Sequence, residues 1–197
     1  MRGDKGRIGP NAILQFVPVL AAAKGAAETA RLLALAGITA LPDPSAGLIA
    51  EGPAARLHQM VRQAHPQDAA RLAAEAGRRT GDYILAHRIP KPAQAVLRAL
   101  PARFSAPILA RAIAKHAWTF CGSGEFRLGP GWPPRFEIID NPVVRGEVSE
   151  VALCHWHGAV FARLFDRLCG PGWQAVETTC CAQGARACRF EMRRCPN

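Results

Sequence analysis

Three features of the sequence predict an α+β fold: a helical N-terminal part followed by an antiparallel sheet packed with helices. Apolar residues recur at helical spacing through the first two-thirds of the chain. Two pairs of short strand-like runs follow Lys115. No crossover helices alternate with single strands, so each pair reads as an antiparallel hairpin rather than a parallel unit.

The elements follow in order. PNAILQFVPVLAAA and AAETARLLALAG read as helices, with Gly37 as a natural stop. ITALPDPSAG is rich in turn residues and reads as a loop. GPAARLHQMVRQAH and PQDAARLAAEAGRRTGDYILAHRI are amphipathic; Pro66 opens the second and Pro90 closes it. KPAQAVLRALPARFSAPILARAIAKHA gives two more helices, divided at Pro101 or Pro107. AWTFCGSGEFRL and RFEIID are read as a hairpin joined by a Gly-Pro-Gly-Trp-Pro-Pro turn. EVSEVALCHWHGAVFARLFDRLCG is read as one helix stopped at Gly170-Pro171. WQAVETTC and ACRFEMRR form the second strand pair, turning near Gln183-Gly184.

The chain has 197 residues, enough for one domain with a full core. A formal charge of +10, mostly arginine, is spread out rather than gathered into a dense run with interleaved aromatics. Zinc-finger and RNP patterns are absent, so nucleic acid is not an expected partner. A carboxylate-bearing ligand or peripheral contact with a membrane surface suits the charge better. The basic start and the apolar run after it resemble a signal peptide, but Gln15 and Pro18 interrupt the run. No run approaches the roughly 18 to 20 apolar residues of a membrane span, and a cytoplasmic location is expected.

Seven cysteines is an odd number, and the chain is larger than the small scaffolds that need disulfide staples. Cys154 falls on the late helix as read, Glu177 and Cys180 at the end of one strand, and Cys188 at the start of the next. A hairpin brings Cys180 and Cys188 together, and a helix packed on it can supply Cys154. Three thiolates and a carboxylate complete a tetrahedral zinc shell with no open position, which makes such a site structural. Spacing alone leaves open that these are buried cysteines acting as small hydrophobes. Cys121 and Cys169 are read as core or helix-end residues, Cys181 as facing away from Cys180, and Cys195 as exposed.

The glutamate-x2-cysteine ETTC, the glycine turn AQGARA and the strand CRFE resemble the 4-vinyl-reductase domain family over about Trp118 to Met192. GRIGPNAILQ, RRTGDYILAHRIP and KHAWTFCGSGEF extend the resemblance, to family members of bacteriochlorophyll biosynthesis, over nearly the whole chain. Related domains in bacterial aromatic-compound sensors bind zinc through one cysteine, a glutamate and two more cysteines. The resemblance implies those roles for Cys154, Glu177, Cys180 and Cys188. It also implies a fold similar to that of TRAPP subunits and nitric-oxide-signalling ligand-binding domains, often as a homodimer. Residues 1–115 are then the mainly helical part of one ligand-binding domain, and residues 116–197 its zinc-containing α+β core.

The family name implies reduction of a vinyl group on a chlorophyll precursor. A hydride donor is needed for that, and no G-x-G-x-x-G follows a strand; GSGEF, at Gly122 to Phe126, is too short. No catalytic residue is assigned. The expectation is a carrier that binds a magnesium porphyrin or protochlorophyllide-type tetrapyrrole and delivers it to a bacteriochlorophyll pathway enzyme. A 4-vinyl reductase and a non-catalytic interaction subunit of that enzyme are the alternatives. A flat apolar macrocycle needs aromatic walls and a nitrogen ligand for magnesium. The candidates are Trp118, Phe120, Phe126, Phe136 and Trp156 as walls, with Tyr83 beside His87. His116, His87 and His157 are the candidate axial ligands, with His116 ranked first because it adjoins the aromatic run.

Overall fold

The computed structural model describes residues 6–45 and 47–195. Its helical part comprises α1 (Asn11–Leu14), α2 (Phe16–Lys24), α3 (Ala26–Leu35), α4 (Glu51–Ala64), α5 (Ala69–His87), α6 (Lys91–Ala99) and α7 (Ala102–Lys115). Two-residue strands β1 (Arg7–Ile8) and β2 (Ile49–Ala50) pair across the start of this part. The main sheet follows: β3 (Glu125–Gly129), β4 (Arg135–Ile139), β5 (Trp173–Thr179) and β6 (Ala187–Arg194), with α8 (His155–Leu168) between β4 and β5 in sequence. The strand order is β3-β4-β6-β5, and every neighbouring pair is antiparallel.

Helix α8 is the centre of the molecule. Trp156, His157, Val160, Phe161, Leu164, Phe165 and Leu168 are all buried, so the helix is covered on most sides. The sheet packs on one side of it and α5 runs along another. Gly77 and Gly81, one turn apart on α5, permit that approach. A Cβ at Gly77 would lie 2.4 Å from the Trp156 carbonyl oxygen, and one at Gly81 2.8 Å from Arg163 Cβ. One continuous core links the helical part to the sheet, from Phe16 and Leu57 through Phe161 to Met192.

Four local readings are corrected. The helix division falls at Pro101, and Pro107 lies inside α7. Proline there costs one backbone hydrogen bond, but Ala106, Leu109, Ala110 and Ile113 bury on either side of it and hold the helix. The run AWTFCGSG is not a strand. A 3-10 turn covers Ala117–Thr119, and the Gly-Ser-Gly loop wraps the buried carboxylate of Glu51. Glu51 accepts from the Ser123 backbone N–H and hydroxyl, both at 2.6 Å, and from Arg145 Nη1 at 3.0 Å. A Cβ at Gly122, whose φ is +58°, would lie 2.2 Å from that carboxylate. The late helix starts at His155, not at Glu147. Val148 and Val151 point to solvent, so a helix there would bury no face. The Ser149 N–H donates instead to Ala182 O, and Gln183 Nε2 to Glu150 O, tying this segment to the β5–β6 turn. Finally, Cys181 does not continue β5 onto its opposite face but opens a 3-10 turn, Cys181–Gln183.

Candidate functional site

The sheet and the start of α8 bring Cys154, Glu177, Cys180 and Cys188 together, with their ligand atoms all within 4.8 Å of one another. A register shift makes this possible. Glu177 pairs with Phe190, and Thr179 pairs with Arg189, so Thr178 is an extra residue in β5. In a regular strand, residues three apart point to opposite faces. The bulge turns both Glu177 and Cys180 towards α8, on the face that carries Cys188, Phe190 and Met192. After Cys180 the chain turns through Gly184, whose φ of +84° suits glycine, and returns as β6. Cys154 sits at the N-terminus of α8, and its N–H donates to Glu177 Oε2 at 2.8 Å.

These groups suit a soft cation. Cys180 and Cys188 have sulfurs 3.8 Å apart, and those of Cys154 and Cys188 are 3.2 Å apart. Zinc–sulfur bonds of about 2.3 Å in a tetrahedron place sulfurs about 3.8 Å apart. A disulfide needs about 2.05 Å, and all the cysteines are free thiols. Glu177 Oε1 is buried and makes no hydrogen bond, which leaves a carboxylate oxygen free to ligate. Two N–H donors point at the sulfurs. Asn141 Nδ2 is 3.2 Å from Cys154 Sγ, and the Cys181 backbone nitrogen is 3.3 Å from Cys188 Sγ. Donors to sulfur favour thiolates. Burial, then the neighbouring Cys180, pushes Glu177 up to about 8. Burial also pushes the Cys154 thiol well up, while hydrogen bonds from Cys154 and Cys188 hold Cys180 down. One negative charge is therefore all the bare cluster holds comfortably, and a divalent cation is what permits more.

The aromatic candidates divide. His157 lies in a cluster with Phe120, Phe161 and Phe190, at ring-centre distances of 6.1, 6.3 and 6.3 Å. Phe126 and Phe136 extend it, Phe136 packing 4.8 Å from Phe161. Trp156 closes its other side, 4.8 Å from His157, and donates through Nε1 to Thr80 Oγ1 at 3.2 Å. His157 is fully buried: Nε2 lies 3.3 Å from the Phe120 carbonyl, and Nδ1 has no partner. Burial pushes its pKa down to about 4, so the ring is neutral.

Outside this cluster lie His116, Trp118, His87 and Tyr83. His116 is exposed at the end of α7, with Nδ1 2.8 Å from Ala112 O, and Trp118 is exposed beside it. The reason is local: α7 buries Leu109, Ala110 and Ile113, so the face bearing Lys115 and His116 looks outward. His87 is exposed and stacks 4.6 Å from half-buried Tyr83. Sequence reasoning missed Asn141 and His58. His58 is buried between Phe16 and Trp156, with Nε2 3.1 Å from Ala12 O. The Asn-Pro pair at 141 and 142 signals a turn, but nothing in it points to a thiol.

The 4-vinyl-reductase domain family matches residues 134–194, the span from β4 through β6 that holds Cys154, Glu177, Cys180 and Cys188. The bacteriochlorophyll synthase 23 kDa chain of Cereibacter sphaeroides is 57% identical over 94% of this chain and 90% of that protein. The chain belongs to the bacteriochlorophyll synthase 23 kDa chain family. Its Rhodobacter capsulatus member is 44% identical over 96% of this chain and 88% of its own length. The family resemblance in ETTC and CRFE is thus borne out, and with it a place in bacteriochlorophyll biosynthesis. Among solved structures, an unliganded Fe(II) H-NOX protein from K. algicida superposes with a TM-score of 0.59 at 10% identity, over 96% of this chain and 98% of its own. An H-NOX protein from S. oneidensis in the Fe(II)NO state gives 0.52 at 14% identity, over 96% and 100%. These likenesses establish that the 23 kDa chain family shares the H-NOX fold.

Proposed function

We propose that this member of the 23 kDa chain family binds a magnesium tetrapyrrole intermediate and presents it to bacteriochlorophyll synthase, with a structural zinc at Cys154, Glu177, Cys180 and Cys188. The observation that carries the tetrapyrrole reading is His157. Its Nε2–H donates to a backbone carbonyl, which fixes the tautomer and leaves Nδ1 as a free lone pair among aromatic rings. A metal-ligating imidazole is commonly held in this way by a carbonyl on its other nitrogen. Half-buried Phe120 and Phe126 are the edge of the cluster through which a flat ligand enters. The zinc shell is closed by four protein ligands, so its role is to staple the β5–β6 hairpin to the start of α8.

Absorbance titration with divinyl magnesium porphyrin, without reductant, tests the carrier reading. It predicts a saturable Soret shift and recovery of the pigment with its vinyl group intact. Recovery of reduced pigment would favour a vinyl reductase, and no shift with folded protein would remove the carrier. Zinc content is measured on the same preparation and is expected to be near one per chain. Protein folded without zinc would remove the metal assignment.

A second reading has its own support. Phe136, Phe161 and Phe190 are fully buried against one another, so the interior is already filled by side chains. An interaction subunit that stabilises the synthase without holding pigment is consistent with that packing. It predicts co-purification with the synthase from cells that make no tetrapyrrole.

A further inference from the structure

Between Asp82 and Glu125 the chain has no acidic residue, and it carries Arg88, Lys91, Arg98, Arg103, Arg111 and Lys115. Among the described residues, none of these six cations is in an ion pair. The arginines of the other segments behave differently. Arg31, Arg62, Arg78, Arg145, Arg163 and Arg189 each pair with a carboxylate. Uncompensated charge is therefore concentrated on α6, α7 and the turn after them.

The outer face of α7 is also apolar. The inner face buries Ala106, Leu109, Ala110 and Ile113. Phe104, Ile108, Arg111 and Lys115 follow at helical spacing on the other side, where all four are exposed. Phe104 is 51% exposed, Ile108 46%, and Trp118, just beyond the helix, 58%. The Arg103 guanidinium lies 4.8 Å from the centre of the Phe104 ring. Aromatic and aliphatic side chains set among unpaired arginine and lysine form the pattern of a helix that lies on a membrane surface. An acidic protein face would satisfy the charges but gives no reason for three large apolar groups in water.

We infer that the outer face of α7, from Arg103 to Trp118, is a docking surface for an anionic lipid bilayer. Phe104, Ile108 and Trp118 enter the headgroup boundary, and Arg103, Arg111 and Lys115 meet the lipid phosphates. Among the described residues no helix is long and apolar enough to cross a membrane, so this is attachment to a surface. The inference does not depend on zinc or on pigment.

Co-sedimentation of the full chain with vesicles tests it, using phosphatidylcholine alone and phosphatidylcholine mixed with phosphatidylglycerol. Binding is expected only with the anionic vesicles, falling as salt is raised. Each of Arg103→Gln, Arg111→Gln and Lys115→Gln should lower the partition about fivefold. Phe104→Ser with Ile108→Ser should weaken binding without changing the circular dichroism, since both side chains are exposed. The Trp118 emission, isolated by difference from Trp118→Phe, should shift to the blue. Equal partition of the charge variants and the parent would overturn the proposal, as would absence of binding at low salt. Binding to soluble polyglutamate as strong as to vesicles, with no Trp118 shift, would overturn it in favour of an acidic protein face.

Discussion

Asn141 shows how much of the candidate centre depends on single polar atoms. Its side chain is completely buried, its amide donates to Cys154 Sγ, and its oxygen accepts from the Val143 N–H at 3.1 Å. Asn141→Ala removes the donor and leaves the sulfur ligand unsupported. Zinc affinity should fall about 10- to 100-fold, as for other outer-shell partners. Competition with a chromogenic chelator measures this, and unchanged affinity would show that the amide only shapes the turn. The four candidate ligands were legible in the sequence because thiolates and a carboxylate have few other reasons to lie at those positions around a hairpin. Asn141 and the Cys181 N–H were not, because their roles arise only when β4 ends in a tight turn against α8. His116 stands next to aromatic residues in sequence, but helical geometry turns it outward. His157, three residues beyond Cys154, was legible as an inward position from its spacing alone.

At the scale of elements, two local devices set the site. The extra residue at Thr178 lets Glu177 and Cys180 share a face, which strict alternation forbids. Gly77 and Gly81 let α5 close on α8, and so they hold Trp156 and His157 in place. Gly77→Ala puts a methyl group 2.4 Å from a backbone carbonyl, where no flexible side chain can yield. The helices must move apart, at a cost of about 1–3 kcal/mol despite alanine's better helix propensity. Denaturant midpoints measure the loss, and a neutral or stabilising result would contradict the close packing. Most helices and the second strand pair follow from periodicity and turn residues. The segment from Glu147 to Cys154 did not follow. Its valines suit a helical pattern but point to solvent, and contacts with the distant β5–β6 turn set its path.

The molecule as a whole buries two neutral imidazoles, and its stability should depend on pH for that reason. His157 falls from an ordinary value of 6.5 to about 4, and His58 also falls well below that value, both chiefly through burial. Above about pH 6.5 both rings are neutral in folded and unfolded chains, and the full stability is present. As pH falls from there, the unfolded chain takes up protons that the folded chain refuses, so stability declines. His157 alone accounts for about 3 kcal/mol between pH 6.5 and 4. Urea midpoints in zinc-containing buffer check this, and the His157→Leu protein should show a flatter dependence. The H-NOX-like arrangement was legible at this scale from element order and the family motif. The closed aromatic interior was not, because the same residues serve as pocket wall or as core until their contacts are known. The claim that this interior seats the macrocycle on His157 is tested most directly by titrating magnesium porphyrin into two variants. His116→Ala should keep the saturable Soret shift of the parent. His157→Leu should lose it while retaining zinc and fold. A shift lost in the first variant or kept in the second would contradict the account.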